Sequence, residues 1–201
     1  MLTRGGRRIA VVFSVLVTVP GTAAGQPLGP SAISGAPPVT LAAVSFLLVG
    51  LFGGAFLYWR AALVDSAVDD TMGRPVAAVI YGLGAYAMVL FGSFYTNNVL
   101  TQLGLSETPL GALTLVILVG GVLVLGGFGH AVIGVLLTDL WGERRPWEGL
   151  ALAGALSGVS WLVLPGVGAV ATWILLAAVG VGGPARTWAH NSRTADSEGG
   201  E

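Results

Sequence analysis

PWEGLALAGALSGVSWLVLPGVGAVATWILLAAVGVGG, running from Pro146 to Gly183, carries a single charge, Glu148, near its start. Its thirty-eight residues would make one helix of about 57 Å, nearly twice a ~30 Å hydrocarbon core. Leu164-Pro165-Gly166-Val167-Gly168 stands at the middle. Proline removes a backbone donor and glycine tolerates turn geometry, so the run divides there. It reads as two membrane spans, 146–164 and 167–183, joined by a tight turn. With this division the chain has five spans; without it, four.

The remaining spans follow upstream. Residues 38–59 form an uncharged run that ends on the interfacial pair Tyr58-Trp59 before Arg60. Residues 75–95 and 109–138 are the second and third spans, each opened by a proline, which suits a first helical position. The third is long for one crossing, so it tilts or bends near Gly126-Gly127-Phe128-Gly129. Between the first two, Leu63, Val64, Ala67, Val68 and Met72 recur at helical spacing, with Asp65, Asp69 and Asp70 on other faces. That pattern predicts a short amphipathic helix on the membrane surface.

Composition sets the same class. Hydrophobic residues are 54% of the 201 and charged residues 9%, against about 25% charged in soluble domains. Mean hydropathy is +0.83. The net charge is -1 and no segment carries a basic stripe, so no nucleic-acid partner is expected. Cysteine is absent, which excludes disulfides, thiolate metal sites and cysteine nucleophiles. The partners left are the lipid bilayer, a second copy, or another membrane protein.

Arg4, Arg7 and Arg8 precede eleven apolar residues, Ile9 to Val19, then Pro20-Gly21 and the small residues Thr22, Ala23 and Ala24. This order is that of a signal peptide over 1–25, and the apolar part is too short to span. A twin-arginine signal at Arg7-Arg8 and an uncleaved anchor are the alternatives. Residues 26–37 read as a flexible external linker, 38–188 as the transmembrane domain, and 189–201 as a disordered acidic tail.

Arginine placement favours five spans. With the mature N-terminus outside, five crossings put Arg60, Arg74, Arg144, Arg145, Arg186 and Arg193 all in the cytoplasm. Four crossings move the last two outside, against the positive-inside rule. The expected product is an all-α, polytopic bundle in the cell membrane with its C-terminus in the cytoplasm. Arg74-Pro75 opens the second span and Arg145-Pro146 the fourth, each followed by glycines, Gly82 and Gly84 or Gly154 and Gly158. Two parallel hairpin repeats would have this spacing.

Candidate functional residues are few. His130 is the one histidine inside a span and has no intramembrane carboxylate to pair with. Asp65, Asp69 and Asp70 are either a cation site or a solvated acidic face. Glu143, Arg144, Arg145 and Glu148 are either a docking patch or locally paired anchors. Gly50/Gly54 and Gly154/Gly158 have the four-residue spacing that lets helices approach closely. No metal site, cofactor motif or catalytic constellation is legible.

From Arg60 to Trp188 the chain resembles an uncharacterised multi-pass membrane domain family that accompanies bactofilin-like, polymer-forming proteins in bacteria and archaea. The Arg74-Pro75 and Arg145-Pro146 openings, the Leu164-Pro165-Gly166-Val167-Gly168 turn and the closing Val179-Gly180-Val181-Gly182-Gly183 carry the likeness. No β-rich polymer-forming repeat precedes them here. The resemblance implies a membrane-anchored accessory role and transfers no catalytic residue. Two expectations follow: a non-enzymatic scaffold or accessory subunit, and alternatively a small transporter or channel, for which only His130 with scattered Ser and Thr could line a path.

Overall fold

Four of the six described helices begin on a proline, where a missing backbone N–H costs nothing because the first turn has no acceptor for it. The computed structural model describes residues 36–198, with side chains to residue 190. The signal peptide and nearly all of the linker lie outside the described residues. In order the helices are α1 (Pro38–Trp59), α2 (Ala61–Gly73), α3 (Pro75–Gln102), α4 (Pro109–Leu140), α5 (Pro146–Val163) and α6 (Gly166–Glu198). No strand occurs among the described residues. The Thr108 Oγ1 caps α4, accepting from the Gly111 N–H at 3.3 Å. Gly104 and Gly142 close the turns after α3 and α4 at φ 67° and 99°, where a side chain would be strained.

Among the described residues four helices are long and apolar enough to cross a membrane: α1, α3, α4, and α6 as far as His190. The expected division of 146–183 occurs, with Leu164 extended between α5 and α6. α5 has only 18 residues, with Glu148 in its first turn. Gly149, Ala153, Gly154, Ser157, Gly158 and Ser160 make up most of its buried side. Small residues lower its apolarity, so it does not join the four.

Three expected boundaries move. α3 continues past Tyr95 to Gln102, because Asn97 and Asn98 can stay helical when their side chains reach solvent; the Asn98 amide also donates to the Phe94 carbonyl. α4 runs unbroken through its glycines. The last helix does not end at Gly183, nor does the tail read from 189 begin there: α6 takes Pro184 inside and runs to Glu198. Gly183 is pinned against Asp70 and Thr71 of α2, which holds the chain in line across the proline.

The packing follows the repeat in the sequence. α3 packs mainly on α6, and α5 packs on α4, so each hairpin's first helix lies against the other hairpin's second. The contacts correspond residue by residue. Ala78, four after Arg74, meets Gly182; Gly149, four after Arg145, meets Gly134. Gly129 and Ala177, five residues before those partners, meet each other where α4 crosses α6. The α3–α4 hairpin is the longer: α3 has 28 residues against 18 in α5, a difference of about 15 Å of helix. α1 has no counterpart in this scheme and lies in the angle between α4 and α5.

α2 is amphipathic as read, yet its apolar side is not spread on a surface. Val64, Ala67, Val68 and Thr71 are fully buried against the ends of α4 and α6, while Leu63 and Met72 face outward. The helix is a cap on one end of the bundle. Arginines gather at that end: Arg144 reaches Asp69 of α2, Arg186 of α6 faces Asp70, and Arg74 lies between α2 and α3.

Candidate functional site

His130 is completely buried. Its Nδ1–H donates to the Gly126 carbonyl one turn back at 2.8 Å. A carbonyl can only accept, so Nδ1 carries the proton and Nε2 presents a lone pair. Nε2 meets no hydrogen-bond partner among the described residues. Trp173 covers the ring, centroid to centroid 5.2 Å, and Tyr86 meets the other edge of that indole at 6.3 Å. Glycines make this enclosure possible. A Cβ at Gly126 would strike the Trp173 ring, one at Gly127 would strike Phe52, and one at Gly129 would strike the Ala177 carbonyl. The imidazole is therefore walled in by close-packed helices rather than set on a polar path.

The glycine pairs divide. Gly154 and Gly158 are packing residues, with added Cβ atoms 3.0 Å from the Phe46 ring and 3.2 Å from the Ala42 carbonyl of α1. The Ser45 and Ser157 hydroxyls close the same interface with a 2.6 Å hydrogen bond. Gly54 makes only ordinary contact with Trp147, and Gly50 has open space around it. The close approach on α1 is instead at Gly53, against Leu150 and the Gly127 carbonyl. Four-residue spacing alone could not tell which side of α1 faces inward; the buried row Ala42, Ser45, Val49, Gly53 and Leu57 does.

The acidic face of α2 is solvated at Asp65 and Asp69, and two of its three carboxylates also meet arginines. Asp69 accepts from Arg144, whose Nε also contacts Asp139 at 3.1 Å. Those hydrogen bonds, the Asp69 one foremost, hold the Arg144 guanidinium well above its ordinary pKa. Asp70 accepts from the Thr187 hydroxyl at 3.0 Å and faces Arg186 at 3.9 Å. Asp65 stays exposed. Arg145 is taken up by Glu143 at 2.6 Å and Glu148 at 3.2 Å, so this arginine is paired within its own loop and the first turn of α5. Among the described residues no three His, Cys, Asp or Glu side chains converge as metal ligands would.

Two open cavities lie at the arginine end. One, about 380 Å³, is lined by Asp70, Arg74, Arg186, Thr187 and His190. The other, about 460 Å³, is lined by Thr138, Trp141, Gly142, Glu143, Arg145, Glu148 and Leu152. Sequence reading missed the first, because Arg74 and Arg186 lie far apart in the chain; the Arg-Pro repeat was the one pointer to it.

This is the build of a multi-pass helical membrane protein, with a buried histidine in its core and a charged cap at one end. No protein-family model matches the chain, and no curated protein or solved structure is similar to it.

Proposed function

We propose that the protein is a non-enzymatic membrane scaffold or accessory subunit. The observation that carries this reading is the closure of the bundle interior. α4 meets α5 and α6 backbone to backbone at Gly134–Gly149 and Gly129–Ala177. Such contacts close the seams between α4 and these two neighbours, and His130 lies against Trp173, which favours a packed interior over a polar path. The outer surfaces of α3 and α4, by contrast, present Met88, Phe91, Phe94, Val116 and Ile117. The resemblance of 60–188 to a domain that accompanies polymer-forming proteins adds a candidate kind of partner. Purification of the tagged chain in mild detergent, with mass determination and identification of what comes with it, is expected to give a stoichiometric protein partner unaffected by His130→Gln. A partner-free particle whose solute flux in liposomes is lost on His130→Gln would make it a transporter.

In the same reading α5 is a fifth span, enclosed enough by α1 and α4 to cross with modest apolarity. The signal is removed, α1 starts outside, and the arginine end is cytoplasmic in accord with the positive-inside rule. The cysteine-free chain allows a clean test. Cysteine at Ser106, between α3 and α4, is expected to react with a membrane-impermeant maleimide in intact cells. Cysteine at Ser192 is expected to react only after permeabilisation. Equal labelling at both positions would return the chain to four spans.

A further inference from the structure

The two cavities at the arginine end occupy corresponding places in the two hairpins. Arg74 opens α3 beside one and Arg145 opens α5 beside the other. Their charges differ. Arg145 stands between two carboxylates, Glu143 and Glu148. In the other cavity two guanidiniums and an imidazole, from Arg74, Arg186 and His190, face one carboxylate, Asp70. That carboxylate is already accepting from Thr187, and its separation from Arg186 is long, 3.9 Å. Arg74 has no ion-pair partner among the described residues and is exposed. The first free N–H groups of α3, behind Pro75, add their partial positive charge at the same place. The open lining thus holds one guanidinium, Arg74, with no carboxylate partner among the described residues, beside a second, Arg186, that is only loosely paired.

We infer that the cavity formed by Arg74, Arg186, Thr187 and His190 binds a phosphate group, supplied by an anionic phospholipid headgroup. Guanidinium donors match phosphate oxygens two at a time, which a single carboxylate does not exhaust. The site lies at the end of apolar helices, where headgroups are, and basic pockets between helices at that level take such lipids. Tyr81 meets His190 in a tilted ring contact, centroids 5.8 Å apart, an aromatic neighbour of the kind common at a lipid interface. Asp70 stays with the Thr187 hydroxyl, 3.9 Å from the Arg186 guanidinium.

The test uses the full-length chain, delipidated in neutral detergent, with its melting temperature followed during titration. Phosphatidylglycerol is expected to stabilise the wild type more than phosphatidylcholine does. Arg74→Gln, at an exposed side chain, is expected to weaken the phosphatidylglycerol effect by about tenfold in midpoint concentration or more. Arg145→Gln, in the corresponding paired cavity, should leave it unchanged. His190→Gln is a second variant, expected to weaken it less. Stabilisation by inorganic phosphate alone, equally sensitive to Arg74→Gln, would keep the phosphate site and make a free phosphate its source. Equal effects of the two lipids on the wild type, or equal responses of Arg74→Gln and Arg145→Gln, would overturn the inference.

Discussion

Gly134→Leu is expected to abolish the folded bundle. At this crossing α4 and α5 touch through their backbones: a Cβ on Gly134 would overlap the Gly149 carbonyl, and a Cβ on Gly149 would overlap the Gly134 carbonyl. No flexible side chain lies between them to move aside. A leucine must therefore drive the helices apart toward the 8–10 Å axial spacing of ordinary helix pairs. In lipid the helices gain little by hiding apolar surface from one another, so close packing supplies most of their association. Separating α4 from α5 also pulls Gly53 of α1 away from Leu150 and Gly127. Overpacking in a close-fitted core costs about 1–3 kcal/mol, and backbone overlap stands at the top of that range or beyond it. Denaturant titration in detergent micelles should find no cooperative transition, and expression should fall. Gly84→Ala is the contrast. Open space surrounds Gly84, and alanine favours helix by about 1 kcal/mol over glycine. That variant is expected to melt at or slightly above the wild-type temperature. Wild-type stability in Gly134→Leu would mean that the helices do not cross as described.

Tyr86→Ala has the next largest expected effect. Tyr86 is among the largest fully buried side chains, set on α3 against Ala177, Ala178 and Trp173 of α6. Its hydroxyl donates to the Val122 carbonyl of α4 at 3.3 Å. It is thus a rare side chain linking α3 directly to α4, two helices of one hairpin that otherwise touch little. Truncation leaves a void beneath Trp173 and frees that indole to tip away from His130. The transfer part of the penalty is small in lipid, but the void part remains, so the loss should be about 2–3 kcal/mol. Tyr86→Phe keeps the ring and gives up one long hydrogen bond, with a loss under about 1 kcal/mol. Comparing the two variants by chemical unfolding and by tryptophan emission separates ring from hydroxyl. A similar loss in both would place the stabilisation in the hydroxyl instead.

Helix starts were legible because they rest on local chemistry. Pro38, Pro75, Pro109 and Pro146 each open the helix expected of them, and Leu164-Pro165 breaks the long run as its residues dictate. Helix ends were less so. Asn97 and Asn98 resemble a loop in composition, yet with side chains in solvent they stay helical, and Gly183-Pro184 resembles a stop, yet its neighbours on α2 keep the chain helical. The amphipathic pattern of α2 was plain, but a pattern names the apolar face without naming its cover, and α4 and α6 provide that cover. His130 stood out in the sequence as the histidine inside a span, through the rarity of ionisable groups in lipid. Its enclosure by Trp173 and Gly126 depends on the rotation of two helices about their axes, which spacing does not encode. Gly50 and Gly53 make the point at the smallest scale: three residues apart, one faces open space and the other a leucine.

The exchange of partners between the hairpins has a consequence for synthesis. A chain emerges from its N-terminus, and α3 enters the membrane long before α6, the helix on which it mainly packs. α1 likewise waits for α4 and α5. Neither hairpin can settle alone, since α3 and α4 share few contacts, as do α5 and α6. The α3 side of the bundle is therefore completed late, after Gly166 and the residues beyond it have been made. Until then the glycine faces of α3 and α4 stand open in the lipid, available to whatever helix passes. A ribosome stalled within α5 would leave α3 without the helix on which it mainly packs, an unpartnered helix open to membrane proteases.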